Sequence, residues 1–262
     1  MTGPWSDRDA TVEGSGLRGA TAAGARTLLW PLWLGAAPDA GAARRLYRLH
    51  APTYELMTAA ATPWRERAAE ALRLARGDAV IDVGCGSGLN LPHLEQCVGP
   101  SGRVCGVDLS PDMLARARRR VHRAGWENVR LVEATAEEAE LPFGVDAVLI
   151  CAAHDVMRSP RALANVLGRL RPGGRVVAAG CQWAPWWPLG GPLNLTVWAA
   201  NLPFVTTFEG FDRPWSHLLE LVPDLSVEVV ACGCGYIARG SLPAPPRRRH
   251  AAQRRGGPTE KL

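Results

Sequence analysis

Between residues 42 and 75 the apolar positions recur at helical spacing, at Leu46, Leu49, Leu56, Met57, Ala68, Leu72 and Leu74, and the pattern breaks at Pro52 and Pro63. Proline removes a backbone donor and clashes with the preceding turn, so the spacing predicts two or three short helices rather than one long one. After residue 78 the period changes. Residues 79–83, 103–107, 128–132, 145–151 and 175–180 are short, β-branched apolar runs separated by helical stretches. Strand alternating with helix predicts βαβ units, hence a parallel sheet covered on both faces. Ser110 before Pro111 and Asp112, and Ser159 before Pro160, each read as an N-cap with proline in the first helical turn. They predict helices over 111–124 and 160–170, the second stopped by Arg171, Pro172, Gly173 and Gly174. A further helix is expected over 215–221, and an antiparallel pair over 226–231 and 235–239.

Composition narrows the chemistry. The chain has 262 residues, 47% of them hydrophobic, enough for one large α/β domain. Of its 30 basic residues only Lys261 is a lysine. That excludes a Walker phosphate loop, a pyridoxal Schiff base and a short-chain dehydrogenase, each of which needs a lysine in a fixed place. The net charge of +5 sits entirely in residues 241–262, so the remainder is balanced and has no global field to gather nucleic acid. This tail reads as a disordered basic arm, and residues 1–41, rich in Ala and Gly, as a flexible leader. The domain proper is expected over 42–240, with a core at 64–180 and a Trp- and Pro-rich insert at 181–214. Seven cysteines, an odd number scattered through apolar runs, point to free thiols and a cytoplasmic location. No signal peptide or spanning helix is expected, since no clean apolar run reaches 18 residues.

The most specific feature is Val80-Ile81-Asp82-Val83-Gly84-Cys85-Gly86-Ser87-Gly88, a buried strand running into a glycine turn and a helix. Such a turn lets a ligand approach the backbone at the carboxyl end of a sheet. A dinucleotide fingerprint would need glycine at 89, where Leu89 stands. Twenty residues after Gly88, Asp108 ends the second strand, where a carboxylate can accept from both hydroxyls of a ribose. Three further motifs follow in order: Gly-Val-Asp-Leu-Ser-Pro-Asp-Met-Leu at 106–114, Leu-Pro-Phe at 141–143 and Leu-Arg-Pro-Gly-Gly at 170–174. Together these four resemble the class I, S-adenosylmethionine-dependent methyltransferases.

The resemblance implies a doubly wound, seven-stranded, mostly parallel sheet whose last strand is antiparallel. It implies S-adenosylmethionine as cofactor, with Gly84, Cys85 and Gly86 against its methionine part and Asp82 holding the ammonium. Asp108 would take the ribose, and Leu109 and Met113 would flank the adenine. Where relatives read Gly-Asp-Ala-Glu this chain reads Ala134-Thr135-Ala136-Glu137, so the adenine contact falls to Thr135 or to the Ala136 amide. Asn90 and Cys151 are expected cofactor neighbours.

For catalysis, His154 beyond the fourth strand is the expected base if the acceptor holds a proton, its near-neutral pKa suited to the task, with Asp155 to orient or replace it. Tyr54 resembles the tyrosine of an N-terminal helix that closes over the cofactor, and Tyr47 and His50 share its segment. Trp183, Trp186, Trp187, Trp198, Phe204, Phe208 and Phe211 suggest an apolar wall for a hydrophobic small-molecule acceptor, a secondary metabolite or lipid. The alternatives are a phospholipid or quinone methyltransferase touching a membrane through the tail or the insert, a nicotinamide oxidoreductase, and a non-catalytic cofactor-binding partner. Cys232-Gly233-Cys234 lacks zinc spacing and reads as alternate positions of a strand, so no metal is expected. A monomer or a homodimer fits this pattern, with no nucleic-acid partner.

Overall fold

Period-two alternation sorts the central strand β1 (Ala79–Val83): Ile81 and Val83 face one side of the sheet, Val80 and Asp82 the other. A computed structural model describes residues 37–142, 144–185 and 190–244. The leader up to residue 36, the tail from residue 245, Phe143, Trp186 and Trp187 lie outside the described residues. β1 is joined by β2 (Arg103–Asp108), β3 (Val129–Glu133), β4 (Val145–Cys151), β5 (Leu170–Cys181), β6 (Ser226–Val230) and β7 (Gly235–Ser241). The sheet runs in the order β3-β2-β1-β4-β5-β7-β6, with β7 antiparallel to both its neighbours and every other pairing parallel. The order reverses between β1 and β4. Crossovers leave there on opposite faces, and a crevice opens at the carboxyl ends of the strands.

The helices are α1 (Ala40–His50), α2 (Tyr54–Met57), α3 (Thr62–Ala71), α4 (Leu91–Val98), α5 (Pro111–Ala124), α6 (His154–Met157), α7 (Pro160–Leu167), α8 (Gly190–Asn201) and α9 (Ser216–Leu221). Through Ala68, Leu72, Leu91, Leu94 and Ala117, α3, α4 and α5 bury the Val80 face. On the Ile81 face, α6, α7 and α9 do the same through Met157, Leu163, Val166, Leu218 and Val222. The two serine caps form as expected, Ser110 accepting from the Met113 amide and Ser159 from the Ala162 amide.

Three expectations are corrected. α7 stops at Leu167, and buried Leu170 already pairs with Val145; because Ala147 pairs with Arg175, the stretch Arg171–Gly174 is a bulge within β5, with Gly173 at φ 75°. Cys232 and Cys234 do not alternate along a strand. They lie in and just after the tight 3-10 turn Ala231–Gly233 that reverses β6 into β7, where Cys232 is exposed. The insert holds a helix, α8, that no period announced because its apolar residues occur on every side. Val197 of α8 buries with Val205, Phe208 and Phe211 into a third cluster, against which Trp183 and Trp198 pack. Among the described aromatics of the insert, Trp183, Trp198, Phe208 and Phe211 thus form the interior of a cap.

Leu94, fully buried where α4 covers the sheet, is a test of this packing. Leu94→Ala is expected to lower unfolding free energy by about 2–5 kcal/mol, whereas Leu49→Ala at an exposed position stays within about 0.5 kcal/mol. Denaturant titration followed by circular dichroism measures both.

Candidate active site

Beyond β1 the chain turns at Gly84, whose φ of 67° disfavours any side chain, and a Cβ there would stand 2.8 Å from that of Ala153. The Gly84 and Cys85 amides both donate to the Val107 carbonyl, at 2.8 and 3.0 Å, closing the turn onto β2. Gly88 lets α4 approach α5, since a Cβ would meet Leu91 at 2.7 Å and Ala117 at 3.2 Å. Asp108 closes the far side. Its Oδ2 accepts from the Gly86 amide at 2.9 Å and its Oδ1 from the Ser110 amide at 2.8 Å. An ionised carboxylate has about four acceptor positions, so the backbone amides leave room for hydroxyl donors in the cleft. Burial raises the Asp108 carboxyl to about 6, against the pull of its amide donors.

Beneath the turn, burial lifts Asp82 to about 7, opposed by the Asn90 Nδ2 that donates to it at 3.1 Å. Asn90 Oδ1 is buried without a hydrogen-bond partner. Arg65 of α3, only 5% exposed, donates to the Thr58 carbonyl at 3.0 Å, and its charge acts on Asp82, Tyr54 and Cys151. Sequence reasoning missed Arg65: it is one of two arginines on a short helix, and only burial sets it apart.

The glycine turn and Asp108 border a cleft at the strand switch point, whose lining includes Gly84, Gly86, Asp108, Leu109, Met113 and Ala136 of the expected cofactor set. Tyr54 and His154 line it too. Asp82 and Asn90 lie buried under its floor, and Cys85 and Cys151 are buried as well and do not line it. Nor does Thr135, which leaves Ala136 as the neighbour on that side. The roof is aromatic. Tyr47 of α1, Tyr54 of α2 and Phe204 of the insert meet edge to face, with Tyr54 and Phe204 centroids 5.3 Å apart. Phe204 is the one described aromatic of the insert that reaches the lining; Trp183, Phe208 and Phe211 stack among themselves. Burial raises the Tyr47 and Tyr54 hydroxyls, so both stay protonated and can donate but not take up a proton at neutral pH.

His154 departs from the near-neutral behaviour expected of it. Burial lowers its pKa to about 3; its Nε2 lies 3.0 Å from the Glu209 carbonyl and its ring 4.1 Å from that of Phe211. As a neutral ring pinned to the cap, it is a weak base. Asp155 beside it also lines the cleft and is raised by burial to about 6. Its Oδ2 accepts from Thr206 Oγ1 at 2.7 Å, and Thr206 Oγ1 in turn accepts from the Asp39 amide at 3.0 Å, so core loop, cap and α1 meet at one hydroxyl. Among the described residues no cluster of His, Cys, Asp or Glu could hold a metal, and no helix is long and apolar enough to cross a membrane.

Residues 80–174 match the methyltransferase domain family. The chain is 35% identical over 107 residues to an arsenite methyltransferase of Halobacterium salinarum, an alignment covering 39% of this chain and 27% of the relative. It is 31% identical over 104 residues to a demethylmenaquinone methyltransferase of Listeria welshimeri, covering 38% and 43%. The chain thus spans less than half the length of these curated relatives. Its fold is similar to that of a SAM-dependent methyltransferase from Aquifex aeolicus, with a TM-score of 0.51 and 19% identity over 78% of this chain and 98% of that one. Residues 80–174 thus match a methyltransferase domain, carried on a seven-stranded sheet whose fold is similar to that of a SAM-dependent methyltransferase. The cofactor of that class is S-adenosylmethionine, and the residues at the cleft fit it. The buried Asp82 carboxylate and orphaned Asn90 Oδ1 are acceptors suited to an ammonium, Arg65 suits a carboxylate, and Asp108 suits a pair of hydroxyls.

The raised Asp82 has a signed consequence. The unfolded chain releases this proton near pH 4 and the folded one near 7, so the free protein loses stability as pH rises from about 4 to about 7 and no further above. Asp82→Asn is therefore expected to melt higher than wild type at about pH 8 while binding S-adenosylhomocysteine about tenfold or more weakly. Thermal denaturation and calorimetry on the same samples check the pair of effects.

Proposed function

We propose that this chain transfers a methyl group from S-adenosylmethionine to an uncharged, largely apolar small molecule. The observation that carries the reading is a set of buried charges about the glycine turn: Asp82 with its Asn90 partner and Arg65 are buried outside the lining of the cleft, and Asp108 stands in that lining, held by the Gly86 and Ser110 amides. It matches a ligand with an amino acid at one end and a ribose at the other. Asp82 and Asn90 accept from the ammonium, Arg65 pairs with the carboxylate, Asp108 accepts from the ribose hydroxyls, and Leu109, Met113 and Ala136 flank the base.

The cofactor when bound supplies an electrophilic methyl on a positively charged sulfur. What remains for the protein is orientation and exclusion of water. Tyr47, Tyr54 and Phe204 provide an apolar roof, and their edge-to-face packing limits how an acceptor can lie. For an acceptor that holds its proton, Asp155 is the base: it borders the cleft, and at about 6 it is ionised at neutral pH yet basic enough to draw a proton. His154 is a positioning residue that fixes the cap through Glu209 and Phe211. No cysteine is among the described residues lining the cleft, so the thiophilic substrate named for the arsenite relative is not carried over. The relative named for demethylmenaquinone favours a second reading within the same chemistry, a quinone- or lipid-like acceptor. The seven free thiols support a reducing compartment, the cytoplasm.

Calorimetry is expected to give micromolar binding of S-adenosylhomocysteine and none of NAD; comparable NAD binding would refute the reading. Asp108→Ala should cost about 1.5–3 kcal/mol of that affinity, the loss of bonds to a charged acceptor. With an acceptor in hand, Asp155→Asn should lower turnover by about 10²-fold and abolish a rate limb near pH 6. His154→Ala should keep that limb while lowering the melting temperature, which separates the base from the positioning residue.

A further inference from the structure

The roof of the cleft has an outer surface as distinctive as its inner one. On α1, Tyr47 turns into the cleft and Leu49, two residues on and so on the far side of the helix, is 72% exposed. On α2 the arrangement repeats: Tyr54 turns inward, while Leu56 is 81% and Met57 48% exposed. Each roof element thus buries one aromatic and presents large apolar side chains to solvent. The adjoining helix α5 is strongly basic. Residues 40–57 and 111–124 together carry eight arginines against Glu55 and Asp112, although the chain before residue 241 is balanced in charge. The two segments are in contact: Glu55 pairs with Arg120 at 2.8 Å and Arg48 with Asp112 at 3.7 Å. Arg116, Arg119, Arg120 and Arg123 border one shallow depression with Glu55. Elsewhere on this face Arg118 pairs with Glu133, whereas Arg119 and Arg123 stand exposed.

We infer that this face, built from α1, α2 and the outer side of α5, docks the protein on an anionic lipid bilayer. Leu49, Leu56 and Met57 enter the headgroup boundary while Arg119 and Arg123 meet the lipid phosphates. A polyanion such as RNA matches the arginines but leaves the leucines and Met57 exposed to water, and none of the exposed large apolar residues described is an aromatic on which a base would stack. Only a surface with both negative charge and an apolar interior satisfies the two sets together. The docking face is distinct from the Trp-rich insert. Because it is the back of the roof, a membrane-bound molecule would hold its cleft next to the bilayer, the side from which an apolar acceptor arrives. The inference does not depend on the methyl-transfer reading, and vesicle binding is read separately from S-adenosylhomocysteine binding.

Co-sedimentation of the full chain with phosphatidylcholine vesicles, with and without about one-third phosphatidylglycerol, tests it. Binding is expected only to the anionic vesicles, weakening as salt is raised. Arg119→Gln with Arg123→Gln should lower the partition coefficient about tenfold or more, and Leu56→Ser about threefold or more, with melting temperatures unchanged. Neutralising Arg247, Arg248 and Arg249 of the tail should have the smaller effect. Equal binding to neutral vesicles, indifference to the α5 and Leu56 variants, or loss of binding through the tail variant alone would overturn the inference. So would a chain that ignores both kinds of vesicle and binds single-stranded RNA.

Discussion

The Asp108 carboxylate is the joint on which the site depends. By accepting from the Gly86 and Ser110 amides it ties the glycine turn after β1 to the start of α5, adding to the bonds of the Gly84 and Cys85 amides to the Val107 carbonyl. Charge-assisted bonds of this kind are roughly twice as strong as neutral ones, and burial makes leaving them unmade costly. The β2–α5 loop so fixed offers the Leu109 carbonyl, to which Arg44 of α1 donates at 3.1 Å. The roof is thus hung from the same joint as the floor.

A second constraint is the concentration of ionisable groups in a dry place. Asp82, Asp108 and Asp155 all have raised carboxyls, and in each case burial is the largest cause. A free protein keeps such groups at a cost to its own stability, which a ligand bringing complementary charge and donors offsets. Such clusters in a cleft mark sites of binding and catalysis more often than sites of structural pairing. His154 shows the reverse case. Burial lowers its pKa to about 3 against the pull of the Glu209 carbonyl, and its ring packs on Phe211 of the cap.

The cap is where local pattern and global structure part company. Thr206, between the Asp155 carboxylate and the Asp39 amide, joins segments separated by 51 and 167 residues, a contact that no periodicity contains. The apolar residues of α8 show no helical stripe because they lie on exposed as well as buried sides: Val197 is buried in the cap while Leu195 is exposed. Their crowding reads as a wall for a substrate when it is the interior of a lid. Phe204 alone of the described insert aromatics turns to the cleft, since its neighbours are consumed in packing against one another.

Strand positions and glycine placement were legible because both are local. Short β-branched apolar runs mark β1 to β5, Ser-Pro marks the starts of α5 and α7, and Gly84 and Gly88 stand where backbone angles and close helix packing admit no side chain. Asp82 and Asp108 were legible for the same reason, each lying at a strand end that the pattern defines. What the tertiary structure alone decided is the state of those groups and the company they keep. It buried Arg65 where its charge acts on Asp82, lowered His154 and raised Asp155 by burial, and turned Tyr47 to the cleft with Leu49 outward. A residue's type and spacing determine what chemistry it can do; its solvation and its distant partners, which arise only when the layers close, determine what it does.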